Sequence, residues 1–156
     1  KTRKYADFLV SFAEQHHFTF GAGDDEGWLV QDYWHPNGES SPTHASLNHH
    51  AAEAEFLYRM ADAVDEDSYA VLADRMVRGI EQSELLWYKP DGDLNYSYKP
   101  DGICSGQDYP YLTYNDLLEL QRLYAARHGQ ENPAIARLLQ AKLTWMNKNG
   151  VTGYNK

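Results

Sequence analysis

Residues 45–82 read ASLNHHAAEAEFLYRMADAVDEDSYAVLADRMVRGIEQ, and this stretch decides the fold. Leu47, Ala51, Ala54, Leu57, Tyr58, Ala61 and Val64 recur at spacings of three and four. That is one apolar stripe along a helix of residues 45–65. Tyr69, Leu72, Ala73, Met76, Val77 and Ile80 repeat the spacing over residues 67–82. Almost no chain joins the two, so they form an antiparallel helix pair.

The same pattern returns on either side. Upstream, Tyr5, Phe8, Leu9 and Phe12 mark one face of a helix over residues 2–15, which reads as the tail of an earlier pair. Downstream, two more helices span residues 112–128 and 133–148. His35-Pro36-Asn37-Gly38 and Lys99-Pro100-Asp101-Gly102 stand 64 residues apart, Asn48 and Asn115 67 apart, and Glu53 and Glu119 66 apart. A period near 65 signals a stacked or closed array of helix pairs.

Each pair follows a stretch of aromatic residues punctuated by Gly and Pro. Residues 27–34 (GWLVQDYW) have strand-like composition after a polar, glycine-rich turn at residues 21–27. Residues 87–98 (WYKPDGDLNYSY) form the second aromatic hairpin, and both stretches close in turns where Pro presets φ and Asn or Asp with Gly tolerates positive φ. The expected fold is all-α: a partial (α/α) toroid of antiparallel helix pairs, about 45–82 and 112–148, with short β-hairpins at one rim. Residues 1–156 are expected to be a single domain and a fragment of a larger toroid, packed against the remainder of its own parent chain.

Composition narrows the function. Twelve tyrosines and four tryptophans supply amphipathic rings suited to gripping something flat and polar. The net charge of −9, with no basic stripe, disfavours a nucleic-acid partner. No apolar run approaches the length of a membrane span, so no membrane partner is expected. Cys104 is the only cysteine, which rules out an internal disulfide or a thiolate cluster; it lies in a polar loop without a neighbouring base and is not read as a nucleophile.

Thr43-His44-Ala45-Ser46-Leu47-Asn48-His49, the helix pair behind it and Pro90-Asp91-Gly92-Asp93-Leu94-Asn95-Tyr96 resemble the C-terminal domain of D-glucuronyl C5-epimerases. Through it they resemble the wider set of (α/α)-barrel polysaccharide lyases and hydrolases. The resemblance covers residues 27–147. It implies that Ser46-Leu47-Asn48 opens an inner helix. It also implies that hairpin tyrosines, here Tyr96, Tyr98, Tyr109 and Tyr111, lie near a carboxylated sugar. An extracellular or cell-surface location and a polysaccharide or oligosaccharide partner are expectations from the same source.

Abstracting the C5 proton of a uronate requires a neutralised sugar carboxylate, a base on one face and an acid to return a proton or assist the leaving oxygen. Asn48, His49, Tyr96, Tyr98 and Tyr111 are the catalytic candidates, with Asn48 and His49 at a helix N-terminus that suits an anion. His44, Trp28, Tyr33, Trp34, Asp108 and Tyr109 are the substrate-binding candidates. The plainer alternatives are that Asn48 and Asn115 cap or brace their helices, that Asp108 caps one, and that the tyrosines are half-buried packing. Trp145 shares a helical stripe with Leu138, Leu139 and Met146 and reads as core.

His44, His49, His50 and Glu53 invite a metal reading, but no HExxH order or second ligand cluster supports it; no metal and no cofactor are expected. Asp32, Asp93, Asp101, Asp108 and Asp116 offer carboxylates for glycoside hydrolysis, although Asp101, like Asp91, precedes a glycine and reads more simply as a turn former. The leading expectation is a carbohydrate-active domain acting on a uronate-containing polysaccharide by epimerase- or lyase-like C5 proton abstraction. The alternatives are a non-catalytic glycan-binding or scaffold domain, and an (α/α)-barrel glycoside hydrolase using paired carboxylates.

Overall fold

The computed structural model describes residues 2–32 and 42–152. Its elements run α1 (Thr2–Gln15), β1 (His17–Phe20), β2 (Gly27–Val30), β3 (Ala45–Ser46), α2 (Leu47–Val64), α3 (Asp67–Ser83), β4 (Asn95–Tyr98), β5 (Cys104–Gln107), α4 (Leu112–His128) and α5 (Pro133–Lys148). Short 3-10 turns occupy Gly23–Asp25 and Glu84–Leu86. The fold is thus mostly helical with two small antiparallel sheets.

The five helices stand where the periodicity puts them, because each carries an apolar stripe that another element buries. Helix α2 is central, packing on α3, on α4 and more lightly on α1, while α5 packs on α4 and α3. The α2–α3 connection is tight: Asp65 takes the left-handed conformation at φ 52 and its N–H returns to the Ala61 carbonyl. Helix α5 begins at a buried cap, where the Asn132 side chain accepts from Ala134 and Ile135 N–H and Pro133 occupies the first turn.

The strands depart from the sequence reading in three places. Ala45 and Ser46 are extended rather than helical: they pair with Tyr98 and Ser97 and add β3 to the β4–β5 hairpin. Residues 17–20 form β1, paired antiparallel with β2, a strand the period-2 reading missed because it is only HFTF between a helix and a turn. The strand-like stretch from residue 27 ends as a strand at Val30, with a bend at Asp32. Tyr33, Trp34 and the His35-Pro36-Asn37-Gly38 turn lie outside the described residues.

The face of α1 also differs. Ala6, Leu9, Phe12 and Ala13 are buried, whereas Tyr5 and Phe8 are exposed. The Lys-Pro-Asp-Gly turns behave alike: Gly92 and Gly102 have φ 90 and 83, and each donates its N–H to the lysine carbonyl three residues back. The second connects β4 to β5, and the first closes the loop bridged by Tyr88 and Leu94.

Candidate functional site

Asp32 follows β2 and is held from both sides. Its N–H donates to the His44 carbonyl at 2.9 Å. Its carboxylate accepts the Ser46 N–H at 2.7 Å and the Ser46 hydroxyl at 2.5 Å. Ser46 is the N-terminal cap of α2, so the carboxylate sits at the positive end of that helix. Only 1% of the Asp32 side chain is exposed.

Two histidines converge on Asp32 Oδ2: His49 Nδ1 at 3.0 Å and His44 Nε2 at 3.3 Å. A carboxylate only accepts, so His49 donates through Nδ1, and in the neutral ring the lone pair then lies on Nε2. Its side chain is 46% exposed, and the dyad therefore presents an oriented base to solvent. One turn further along α2, Glu53 faces the same open cleft of about 430 Å³, whose walls are Tyr5, Asp32, His49, Ala52, Glu53 and Phe56.

The electrostatics of this cleft are acidic. Burial, reinforced by Asp32, pushes the Glu53 carboxyl up to about 8, which keeps it largely protonated at neutral pH. Burial and the nearby Glu53 also raise the Tyr5 hydroxyl. From α4, Asp116 is pushed up to about 6, by burial first and then by Glu55, with His49 opposing. The Tyr5 ring meets Phe56 edge-on at 5.3 Å. No lysine or arginine is among the described lining residues.

A tyrosine wall adjoins the histidines. Tyr96 on β4 tilts against His44 at 5.8 Å and meets Tyr109 edge-on at 5.7 Å. Tyr109 and Tyr111 are 45% and 40% exposed, enough for either ring to touch a ligand. Thus His44, His49, Tyr96 and Tyr109 come together, and Tyr111, two residues past Tyr109, is the N-terminal cap of α4.

Other candidates are placed differently. Asn48 is 3% exposed, too enclosed to hold a ligand carboxylate, and its Oδ1 has no hydrogen-bond partner among the described residues. It is not a cap either, since Ser46 holds that position. Tyr98 is packing: its ring meets Phe18 at 5.0 Å and Phe20 at 5.2 Å, both edge-on. Trp28 is sandwiched, with His17 stacked at 3.8 Å and the Arg75 guanidinium at 4.5 Å, so no ring face is left for a sugar. Tyr33 and Trp34 lie outside the described residues.

Asp108 is neither substrate-facing nor a cap. It is 4% exposed, lies 2.7 Å from Lys142 Nζ, and accepts the Thr113 hydroxyl at 2.6 Å. His50 spends both nitrogens on the backbone, accepting from Val30 N–H at 3.2 Å and donating to the Met76 carbonyl at 3.0 Å. Burial lowers it to about 4, so it is a neutral strut and is unavailable to a metal. Among the described residues no group of three or more His, Cys, Asp or Glu side chains is arranged to hold a metal ion. Burial pushes the Cys104 thiol up to about 12, far from a thiolate.

Asp32 is the residue whose role sequence reasoning underrated, appearing there only as one carboxylate among several. Its single local signal is its place at the end of an aromatic strand; the partners at 44, 46 and 49 depend on the return of the chain. No protein-family model matches the chain, and no curated protein matches it by sequence. Among the described residues no helix is long and apolar enough to cross a membrane.

Proposed function

We propose that this chain is a carbohydrate-active domain that acts on a uronate-containing polysaccharide by abstracting the proton at C5. The observation that carries the reading is the His49–Asp32 dyad, 3.0 Å between Nδ1 and Oδ2, opening onto the cleft that also holds Glu53. His49 Nε2 takes the C5 proton, and Asp32 stabilises the imidazolium that forms. Negative charge then develops on the sugar carboxylate, where the protonated Glu53 donates a hydrogen bond. Tyr96 or Tyr111 delivers a proton, either to the opposite face of C5 (epimerisation) or to the C4 oxygen as its bond to carbon breaks (lyase elimination).

The helix pairs support the architecture in the same reading. Helix α2 packs on α4 while α3 packs on α5, the side-by-side stacking of successive pairs in an (α/α) toroid. The tyrosine wall follows β4 and the segment that leads into α4, one rim of that array. A polysaccharide substrate puts the protein outside the cell or at its surface.

One observation favours a second reading. The cleft is acidic, the chain carries −9, and Glu53 and Asp116 are pushed up to about 8 and about 6. Carboxyl groups held at different protonation supply the acid and base of a glycoside hydrolase acting on a neutral glycan.

Incubating the protein with uronate-containing and neutral polysaccharides in D₂O, followed by NMR, tests both. Deuterium at C5 of a uronate, lost in His49→Ala, is the expected result. New reducing ends without an unsaturated product would instead establish the hydrolase. Line broadening of a glycan without any product would mean a binding module and end the catalytic assignment.

A further inference from the structure

Lys142 on α5 is wholly buried, yet its ammonium is fully engaged. Its Nζ lies 2.6 Å from Asp93 Oδ1, 2.7 Å from Asp108 Oδ2 and 2.7 Å from the Tyr109 carbonyl. The face of Trp145 lies 4.7 Å away. Asp93 also accepts from the Leu94 N–H at 2.8 Å and the Gln107 amide at 3.3 Å. One cation therefore joins the loop before β4, the segment between β5 and α4, and the second helix of the second pair.

Such an ion cluster adds little net stability over an apolar core of the same volume, because three charges are taken out of water. What it does supply is geometry, since only one arrangement satisfies every partner. Here that arrangement fixes the backbone of Tyr109, whose ring abuts Tyr96, whose ring in turn abuts His44 beside Asp32. Gly106 reinforces it from the neighbouring strand: at φ +104, an added Cβ would stand 3.1 Å from the Tyr96 Cβ, so the lack of a side chain there leaves the ring its place.

We infer that Lys142 is a positioning residue for the cleft: through the Tyr109 carbonyl it holds the Tyr96–Tyr109 wall against the histidines. The kinetic consequence rests on the function proposed above, whereas the structural consequence does not. Two variants test it, Lys142→Met and the neutral triple variant Asp93→Asn/Asp108→Asn/Lys142→Met, which leaves no unpaired charge behind. The readouts are the cross-relaxation between the Tyr96 and Tyr109 rings by NMR, and the kinetics on whichever glycan the parent protein turns over.

The folded variants are expected to lose the ring-to-ring signal. KM should rise and kcat fall, lowering kcat/KM by roughly tenfold, because the displaced wall both orients substrate and carries Tyr96, one of the two residues assigned to proton delivery. A folded triple variant that keeps both the signal and kcat/KM overturns the inference. So does loss of folding in both variants, which would make the cluster a stability element. If the parent turns over no glycan, the functional reading fails, and the ring-to-ring signal still decides the role of Lys142.

Discussion

At the residue scale the chemistry depends on how few groups Asp32 serves and how close they are. Ser46 fixes the carboxylate at the start of α2, and His49, three residues on, reaches the same oxygen. Under the proposed proton abstraction, His49→Ala is expected to reduce turnover by about 10²–10⁴-fold, the usual range for losing a general base. Asp32→Asn should reduce it too, since an amide can stabilise the wrong tautomer of the ring. Steady-state rates on the active glycan check both. Glu53 gives a separate test in stability. Its folded-state carboxyl stands near 8 against an ordinary value of 4.5, so the folded chain holds a proton that the unfolded chain releases. Its favourable contribution is complete below about pH 4.5 and fades as pH rises towards 8. Glu53→Gln should therefore gain melting temperature relative to the parent between about pH 5 and pH 9, measured by thermal unfolding. His50 has the opposite sign. Lowered to about 4, it stays neutral when folded, and roughly 3 kcal/mol of stability is lost as pH falls from its ordinary 6.5 through that value.

At the element scale the tightest constraint is the crossing of β2 over α3. A Cβ on Gly79 would stand 2.1 Å from the Trp28 carbonyl oxygen, and one on Gly27 would stand 2.2 Å from the Gly79 nitrogen. Two backbones thus touch through paired glycines, and neither can shift without moving a whole element. Gly79→Ala should cost about 3 kcal/mol or more, above the usual overpacking range because the obstacle is main chain. Chemical denaturation measures it, and a near-neutral result would mean that β2 lifts freely off α3. Helix positions were legible in the sequence because seven apolar residues of α2 and six of α3 keep helical spacing. Of the strands, β2 and β4 fall within the aromatic stretches legible in the sequence, whereas β1, β3 and β5 do not: they are at most four residues long, and β3 pairs with a strand more than 50 residues away. Ala45 and Ser46 show the reason. Their local pattern continues the helix, but β4 offers them backbone hydrogen bonds and Asp32 takes the Ser46 N–H.

At the scale of the whole molecule, the two helix pairs meet along a charged seam around an apolar centre. Arg127 pairs with Asp62 and Asp67, His128 with Asp74, and Arg137 with Glu84, whose carboxyl the guanidinium holds below its usual value. In these pairs the acidic groups come from α2 and α3 or just after and the basic groups from α4 and α5, while Arg59 on α2 and Glu119 on α4 make the reverse pair at 3.5 Å. Arg137→Met should lower the melting temperature modestly, with the loss shrinking as salt is added, because that side chain is 60% exposed. The slowest amide exchange is expected in the middle of α2, the helix with neighbours on most sides, and α1 should exchange faster. Exchange followed by NMR that found α1 the more protected would contradict this packing order.

By itself, the sequence determined five helices, their pairing, the tyrosine-rich segments between them, and His44, His49, Tyr96 and Tyr109 as site candidates. It could do so because helical periodicity and turn chemistry are local, written within a few residues of where they act. Only the tertiary structure decided that Asp32 organises the histidines, that Asn48 and Trp28 are enclosed, that the half-buried Tyr98 packs on Phe18 and Phe20, and that Asp108 belongs to Lys142. Those outcomes turn on burial and on partners up to 47 residues apart in number along the chain for Trp28 and Arg75, and 34 for Asp108 and Lys142. Burial of a polar group is settled by which charge returns to meet it, and no local spacing carries that information.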